Sequence, residues 1–188
     1  SRILLMRIAV AIPAYDAGAS VASVVRATRQ QFPDVLVVDD GSADDTAKRA
    51  REAGAEVRKL PFNCGKGTAL GVAFETLIRR GFDGIVTVDA DGQHLPEEIT
   101  RLIALAPKTD LVLGTRDHLY EQMAPIRRFS NSLSSRAISF AAGQNISDVQ
   151  TGFRYYSRAL IERLGIPRGR YEAESALVVR AVRCGFRV

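Results

Sequence analysis

Val35-Leu36-Val37-Val38-Asp39-Asp40-Gly41-Ser42 is an apolar run that stops on two adjacent carboxylates. A short β-branched run bounded by turn residues reads as a buried strand. Gly84-Ile85-Val86-Thr87-Val88-Asp89-Ala90-Asp91-Gly92-Gln93 is built the same way: an apolar strand, then acids. Working outward, strands are expected over 7–13, 35–40, 56–60, 84–89 and 110–115. Helices are expected between them, over 20–31, 43–53, 68–80 and 96–105. The first carries the stripe Val21, Val24, Val25 and Thr28, at helical spacing. Ser42 stands where a cap for the second is wanted, and Gly81 ends the third. Pro96 opens the fourth, with Glu97 and Glu98 beside the positive end of its dipole. Strands alternating with helices at this spacing imply right-handed crossovers, hence an α/β fold with a mainly parallel central sheet flanked by helices. Ligands in such sheets sit beyond the carboxyl ends of the strands, which places the chemistry just after Val38, Val88 and Gly114.

Beyond Arg116 the pattern changes. A helix is expected over 127–142, with Phe129, Leu133, Ala137 and Phe140 on one side. A polar loop over 148–156 runs into a strand, and a helix over 173–184 ends at Gly185. Phe153, Tyr155 and Tyr156 read as core. Residues 1–188 are expected to form one domain, with one half over 7–115 and a second half over 116–188.

Composition sets the bounds. The chain has 188 residues, 46% of them hydrophobic and 25% charged. That suits one globular domain and excludes a disordered chain. No apolar run is long enough to span a bilayer. The apolar stretch 1–6 is too short for a signal peptide. Cys64 and Cys184 form no metal or redox spacing, so a reducing cytoplasm is expected. The net charge of +5 suits a phosphate-rich partner.

Two acidic clusters carry the chemistry. Asp39 and Asp40 can accept hydrogen bonds from a base or ribose; capping alone needs only Ser42 and Asp44. As a strand-end acid, Asp40 is expected to be solvent-accessible. Asp89 and Asp91 are alternate carboxylates on an extended turn and can share one hard divalent cation, Mg²⁺ or Mn²⁺, with Gln93 adding a neutral oxygen. Such a pair is common in simple acidic turns; its place at the end of an apolar strand raises the functional reading. Gly65-Lys66-Gly67-Thr68 lacks the upstream glycine of a P-loop, since position 60 is Leu60. Its glycines still open a helix where Lys66 favours an anion.

Ile12-Pro13-Ala14-Tyr15, Asp39-Asp40-Gly41-Ser42, Asn63-Cys64-Gly65-Lys66-Gly67 and Asp89-Ala90-Asp91-Gly92-Gln93 resemble, in order and spacing, the motifs of family 2 glycosyltransferases. The resemblance covers nearly the whole chain. It implies the GT-A, or nucleotide-diphospho-sugar transferase, fold. Asp148-Val149-Gln150-Thr151-Gly152-Phe153-Arg154 and Tyr171-Glu172-Ala173-Glu174 are similar to the polyprenyl-phosphate and dolichyl-phosphate mannosyl- or glucosyltransferase branch. That likeness implies a role for each matching residue. Pro13, Ala14 and Tyr15 line the base pocket, with Asp16 and Ala17 where the family often has Asn and Glu. Asp39, Asp40, Lys66, Asp89 and Ala90 complete the nucleotide site. Asp89, Asp91 and Gln93 hold the metal. Arg116 faces phosphate after the fifth strand. Arg127 or Arg128, and Arg154, face the acceptor phosphate. Asp148 and Glu174 are the acids on the acceptor side.

The reaction implied is inverting transfer from a UDP- or GDP-sugar to a lipid phosphate at the inner face of the membrane. An anionic acceptor needs no strong base, whereas a hydroxyl acceptor needs a carboxylate: Asp148 first, Glu174 second. The rivals are a glycosyltransferase with a soluble or glycan acceptor, a sugar nucleotidyltransferase, and an inactive nucleotide-binding module. Pro13-Ala14-Tyr15-Asp16-Ala17-Gly18 lacks the glycine-rich phosphate loop of a nucleotidyltransferase, and Asp89 with Asp91 argues against lost catalysis. No nucleic-acid motif accompanies the basic charge. Members of the branch commonly continue beyond the equivalent of Val188, so a short soluble form or a catalytic fragment is expected.

Overall fold

The computed structural model describes residues 6–92, 96–114, 151–165 and 172–188. The chain runs β1 (Ile8–Ala14), α1 (Val21–Arg29), β2 (Val35–Asp39), α2 (Thr46–Glu52), β3 (Glu56–Lys59), α3 (Lys66–Arg79), β4 (Gly84–Thr87), α4 (Pro96–Ala104) and β5 (Leu111–Leu113). Then come β6 (Arg154–Ser157), α5 (Arg158–Leu164) and α6 (Glu172–Arg183). One six-stranded sheet has the order β3-β2-β1-β4-β6-β5. β1 pairs in parallel with β2 and β4, and β2 with β3. β6 enters antiparallel between β4 and β5, opposing Val86 with Tyr155 and Thr87 with Arg154. The sheet is thus mainly parallel and flanked by helices, and its exception brings the C-terminal part of the chain against β4.

Alternate residues of each inner strand feed opposite cores, as the two-residue period of a strand requires. Ala9, Ala11, Leu36, Val38, Ile85 and Tyr156 face one side, with Leu70 and Phe74 of α3, Leu160 of α5 and Val178 of α6. Val10, Ile12, Val35, Val37, Val86 and Tyr155 face the other, with Val21 and Val25 of α1 and Ile99 of α4. Phe153, Tyr155 and Tyr156 are buried, as the core reading expects. Gly84 is required by this packing: a Cβ there would lie 2.4 Å from the Tyr155 ring. Pro13 lacks an N–H and lies past Ala11, where the ladder to β4 ends, a tolerated place for proline.

Several boundaries differ from expectation. α2 begins at Thr46, three residues later than the sequence suggests. Ser42 does not cap it: the Ser42 hydroxyl accepts from Asp16 N at 2.9 Å, and Asp44 accepts from Thr46 N at 2.9 Å. Ala43 and Asp44 are spent joining the β1 and β2 loops. β5 is Leu111–Leu113, shorter than the expected span 110–115, and α5 has no counterpart among the expected helices. The helix expected over 127–142 lies outside the described residues.

Candidate active site

The C-terminal ends of β1, β2 and β4 meet on one edge of the sheet, and the loops there are tied by side chains. Ala14 O accepts from Asp40 N at 2.8 Å. Asp16 sits at φ 46°, a left-handed conformation that Asp adopts more readily than most residues. It is held there from both sides, since its carboxylate accepts from Ala43 N at 2.9 Å. Ala17 N donates to Thr46 Oγ1 and Gly18 N to the Asp44 carboxylate, each at 2.8 Å. Pro13 is half-buried and Ala14 buried, whereas Tyr15 is 51% exposed on the rim.

The paired acids after β2 do different work from that expected. Asp39 is fully buried; one oxygen accepts from Ser42 N at 2.8 Å, and Lys59 Nζ stands 3.8 Å from the other. Asp40 is only 3% exposed. Its two oxygens accept from Cys64 N at 2.7 Å and Gly65 N at 2.8 Å. The expectation of a solvent-accessible Asp40 is therefore corrected: the carboxylate clamps the loop that starts α3. Gly41, at φ 75°, is forced by the same contact, since a Cβ would come within 2.4 Å of the Phe62 backbone.

That clamp aims Lys66, the first residue of α3. Its Nζ lies 2.8 Å from Asp89 Oδ1 and 3.1 Å from Glu174 Oε2. Burial would lower the ammonium pKa, but the Glu174 and Asp89 carboxylates outweigh it and raise the value. Asp89 is fixed from the other side by backbone: a Cβ on Gly152 would lie 2.2 Å from both its oxygens. Thr87 Oγ1 donates to Gly152 O at 2.7 Å and seats that backbone on β4.

Arg154 is not where an acceptor-phosphate ligand must be. It is 1% exposed. Its Nε donates to Thr151 O at 2.7 Å and its Nη1 to Glu174 O at 2.9 Å, while Glu174 Oε1 lies 3.7 Å from Nε. Burial opposes its charge; Tyr156 and Glu174 restore it and leave the pKa raised. Burial also pushes the Tyr156 hydroxyl up to about 12. Glu174 is buried as well and ion-paired with Lys66, so it is poorly placed as a general base. Lys66, Asp89, Arg154 and Glu174 form a compact cluster with two charges of each sign.

Asp91 is exposed, two residues beyond Asp89. Ser20 Oγ donates to Ala90 O at 2.6 Å and steadies the turn between them. The donor set fits a hard divalent cation, because both candidate donors are carboxylates and Asp91 stands exposed on the turn. The Asp89 oxygen already draws a cation, the Lys66 ammonium. Gln93, Arg116, Arg127, Arg128 and Asp148 lie outside the described residues. Two contributors escape a reading of the sequence: Gly152, whose lack of a side chain admits Asp89, and Thr87, which seats it. Their only signal is position: Thr87 lies opposite Arg154 in the β4–β6 pairing, and Gly152 stands two residues before Arg154.

A largely parallel sheet with carboxylates and a lysine at its ligand-binding edge is the architecture of a GT-A glycosyltransferase. The chain belongs to glycosyl transferase family 2, whose model matches residues 9–165. It is 32% identical to polyprenol monophosphomannose synthase of Mycolicibacterium smegmatis, over 97% of this chain and 74% of that protein. It is 30% identical to undecaprenyl-phosphate mannosyltransferase of Micrococcus luteus, over 97% of this chain and 81% of that protein. The fold is also similar to a solved structure of glucosyl-3-phosphoglycerate synthase from Mycobacterium tuberculosis in complex with Mn²⁺, UDP and phosphoglyceric acid. The TM-score is 0.75 at 21% identity, covering 98% of this chain and 67% of that one.

Proposed function

We propose that this enzyme transfers a sugar, with inversion, from a UDP- or GDP-sugar to a polyprenyl phosphate, working at the inner face of the membrane. The observation that carries the donor side is the placement of Asp89, Asp91 and Lys66 together at the carboxyl edge of β4 and the start of α3. The two relatives named for polyprenol and undecaprenyl-phosphate mannose transfer support the acceptor. No helix among the described residues is long and apolar enough to cross a membrane, and a peripheral position suits the proposal.

The residues divide the work. The β1 loop, with Pro13, Ala14, Tyr15 and Asp16, forms the side of the site assigned to the base, and Asp39 and Asp40 hold its floor in shape. Asp89 and Asp91, with Gln93, are the proposed ligands of Mg²⁺ or Mn²⁺, which when bound neutralises charge growing on the departing nucleoside diphosphate. Lys66 adds a positive charge at the N-terminus of α3, where backbone N–H groups also favour anions. Arg116, Arg127 and Arg128 are the proposed holders of the acceptor phosphate; Arg154 supports from beneath. A phosphate acceptor brings an oxygen that is already anionic, so its attack on the anomeric carbon needs positioning more than proton removal. The buried, ion-paired state of Glu174 favours this over a hydroxyl acceptor, for which Asp148 is the remaining base.

The test offers undecaprenyl phosphate and, separately, the dephosphorylated alcohol, with UDP- and GDP-sugars and Mn²⁺. Transfer to the phosphate alone, abolished by excess chelator, is the expected result. Equal transfer to the alcohol, or transfer only to a free sugar, moves the enzyme to a hydroxyl acceptor. Full activity in chelator removes the metal from the mechanism.

A further inference from the structure

We propose that Lys66 is a resident counter-ion that closes Asp89 to free divalent cations and releases it only when a nucleoside diphosphate arrives. This rests on the metal-dependent reading above and goes beyond it. Lys66 Nζ sits 2.8 Å from Asp89 Oδ1, on the carboxylate that a cation must share. Its second anchor, Glu174 Oε2 at 3.1 Å, comes from α6. The ammonium is well enclosed, with 16% of its side chain exposed, while Asp89 keeps 24%. Both members of the pair thus keep some contact with solvent.

The backbone that carries the lysine is fixed. Asp40 fixes the backbone of Cys64 and Gly65 immediately before it. Gly152 blocks the far side of Asp89, where any side chain would collide with both carboxylate oxygens. Asp89 thus lies between Gly152 on one side and the Lys66 ammonium on the other. A free cation must enter next to an ammonium, and two positive charges about 4 Å apart repel strongly in a partly enclosed site. A diphosphate changes the balance, because it gives the ammonium an anionic partner while bridging the cation. The consequence is thermodynamic coupling: metal and nucleotide each raise the affinity for the other by the same factor.

The experiment measures free Mn²⁺ by its electron paramagnetic resonance signal, in titrations of the whole chain with and without saturating UDP or GDP. In the unaltered enzyme Mn²⁺ alone should bind weakly, and nucleotide should tighten it. Lys66→Met should bind Mn²⁺ alone on the order of tenfold more tightly, with a smaller enhancement by nucleotide. Lys66→Arg should resemble the unaltered enzyme. Removing only the lysine leaves Glu174 buried with Arg154, 3.7 Å away, as its remaining cation among the described residues, and can loosen the site. The double variant Lys66→Met/Glu174→Gln removes one charge of each sign, and it too should bind Mn²⁺ alone more tightly. Because its net charge is unchanged, that rise separates an occupied ligand from a general shift in potential. Affinity for Mn²⁺ alone that stays unchanged in Lys66→Met and in the double variant overturns the proposal. Absence of Mn²⁺ binding by the unaltered enzyme, with and without nucleotide, overturns the metal-dependent reading and this inference with it.

Discussion

Gly152 shows how much of this site hangs on single atoms. The residue has no unusual backbone angle; what matters is that its missing Cβ leaves room for the Asp89 carboxylate, whose oxygens lie 2.2 Å from where that atom would be. The atoms met all belong to the Asp89 carboxylate, which is held by Lys66, so it does not give way cheaply. Gly152→Ala is expected to displace Asp89 and cost roughly a hundredfold in turnover, with the circular dichroism spectrum unchanged; steady-state rates near those of the unaltered enzyme would contradict the contact. Asp91 tests the other ligand. Asp91→Asn keeps size and loses charge at an exposed position, so stability should hold while transfer falls on the order of a hundredfold. Asp40 behaves oppositely, because its carboxylate binds two backbone N–H groups and not solvent. Asp40→Ala leaves both donors without that acceptor and should cost about 1–3 kcal/mol in urea unfolding. Weaker UDP or GDP binding should accompany it, through the loosened Lys66 loop. Loss of nucleotide affinity with unchanged stability would instead mark Asp40 as a direct ligand.

At the scale of elements, the β1 and β2 loops act as one unit because Asp44 joins them. Its carboxylate accepts from Gly18 N and from Thr46 N, and it also takes the Thr46 hydroxyl. The Thr46 hydroxyl is the largest influence holding its pKa below the usual carboxylate value; desolvation opposes, and Gly18 N, Thr46 N and Arg49 assist. The sign follows from linkage: a depressed folded-state pKa gives stability that is present above the unfolded value and lost as pH falls through the folded one. Asp44→Ala should therefore cost about 1 kcal/mol or less at neutral pH, in the range of a lost helix cap. The difference from the unaltered chain should shrink below about pH 4. Thermal unfolding monitored from pH 7 to pH 3 checks both; a gap that widens on acidification would reverse the assignment. The late start of α2 has the same cause, since Asp44 and Ser42 serve the loop where a helix cap is anticipated. α5 does carry local signals. Ser157 Oγ caps it by accepting from Leu160 N, Arg158 pairs with Glu162 one turn on, and Gly165 ends it.

Across the whole molecule, the parallel half is legible in the sequence because each inner strand is an apolar run buried on both faces and ended by acids or glycine. Val35–Asp39 and Gly84–Thr87 announce themselves in that way. The antiparallel insertion of β6 is not legible. Arg154-Tyr155-Tyr156 has no period that specifies a neighbour, and its partner β4 lies far away in sequence. For the same reason Asp89 and Lys66 can be named as site residues from their motifs, whereas the commitment of Arg154 to the interior cannot. Arginines are usually solvated, and only the pairing shows this one beneath the site. Arg154 links the two parts of the chain: it binds Thr151 O on the approach to β6 and Glu174 O on α6, and Glu174 in turn reaches Lys66. Arg154→Lys keeps the charge but cannot reproduce a planar fork addressing two carbonyls. The loss of one such charged hydrogen bond should cost about 2–3 kcal/mol, a fall in Tm of roughly 5–10 °C for a chain of this size. Transfer should fall as well, and a direct role in gripping phosphate predicts a different pattern. A phosphate ligand raises KM for the acceptor and leaves Tm alone; a buried support lowers Tm and reduces kcat by loosening Glu174 and Lys66. Differential scanning calorimetry with acceptor-dependent kinetics on Arg154→Lys separates the two, and an unchanged Tm with a raised acceptor KM would return Arg154 to the acceptor site.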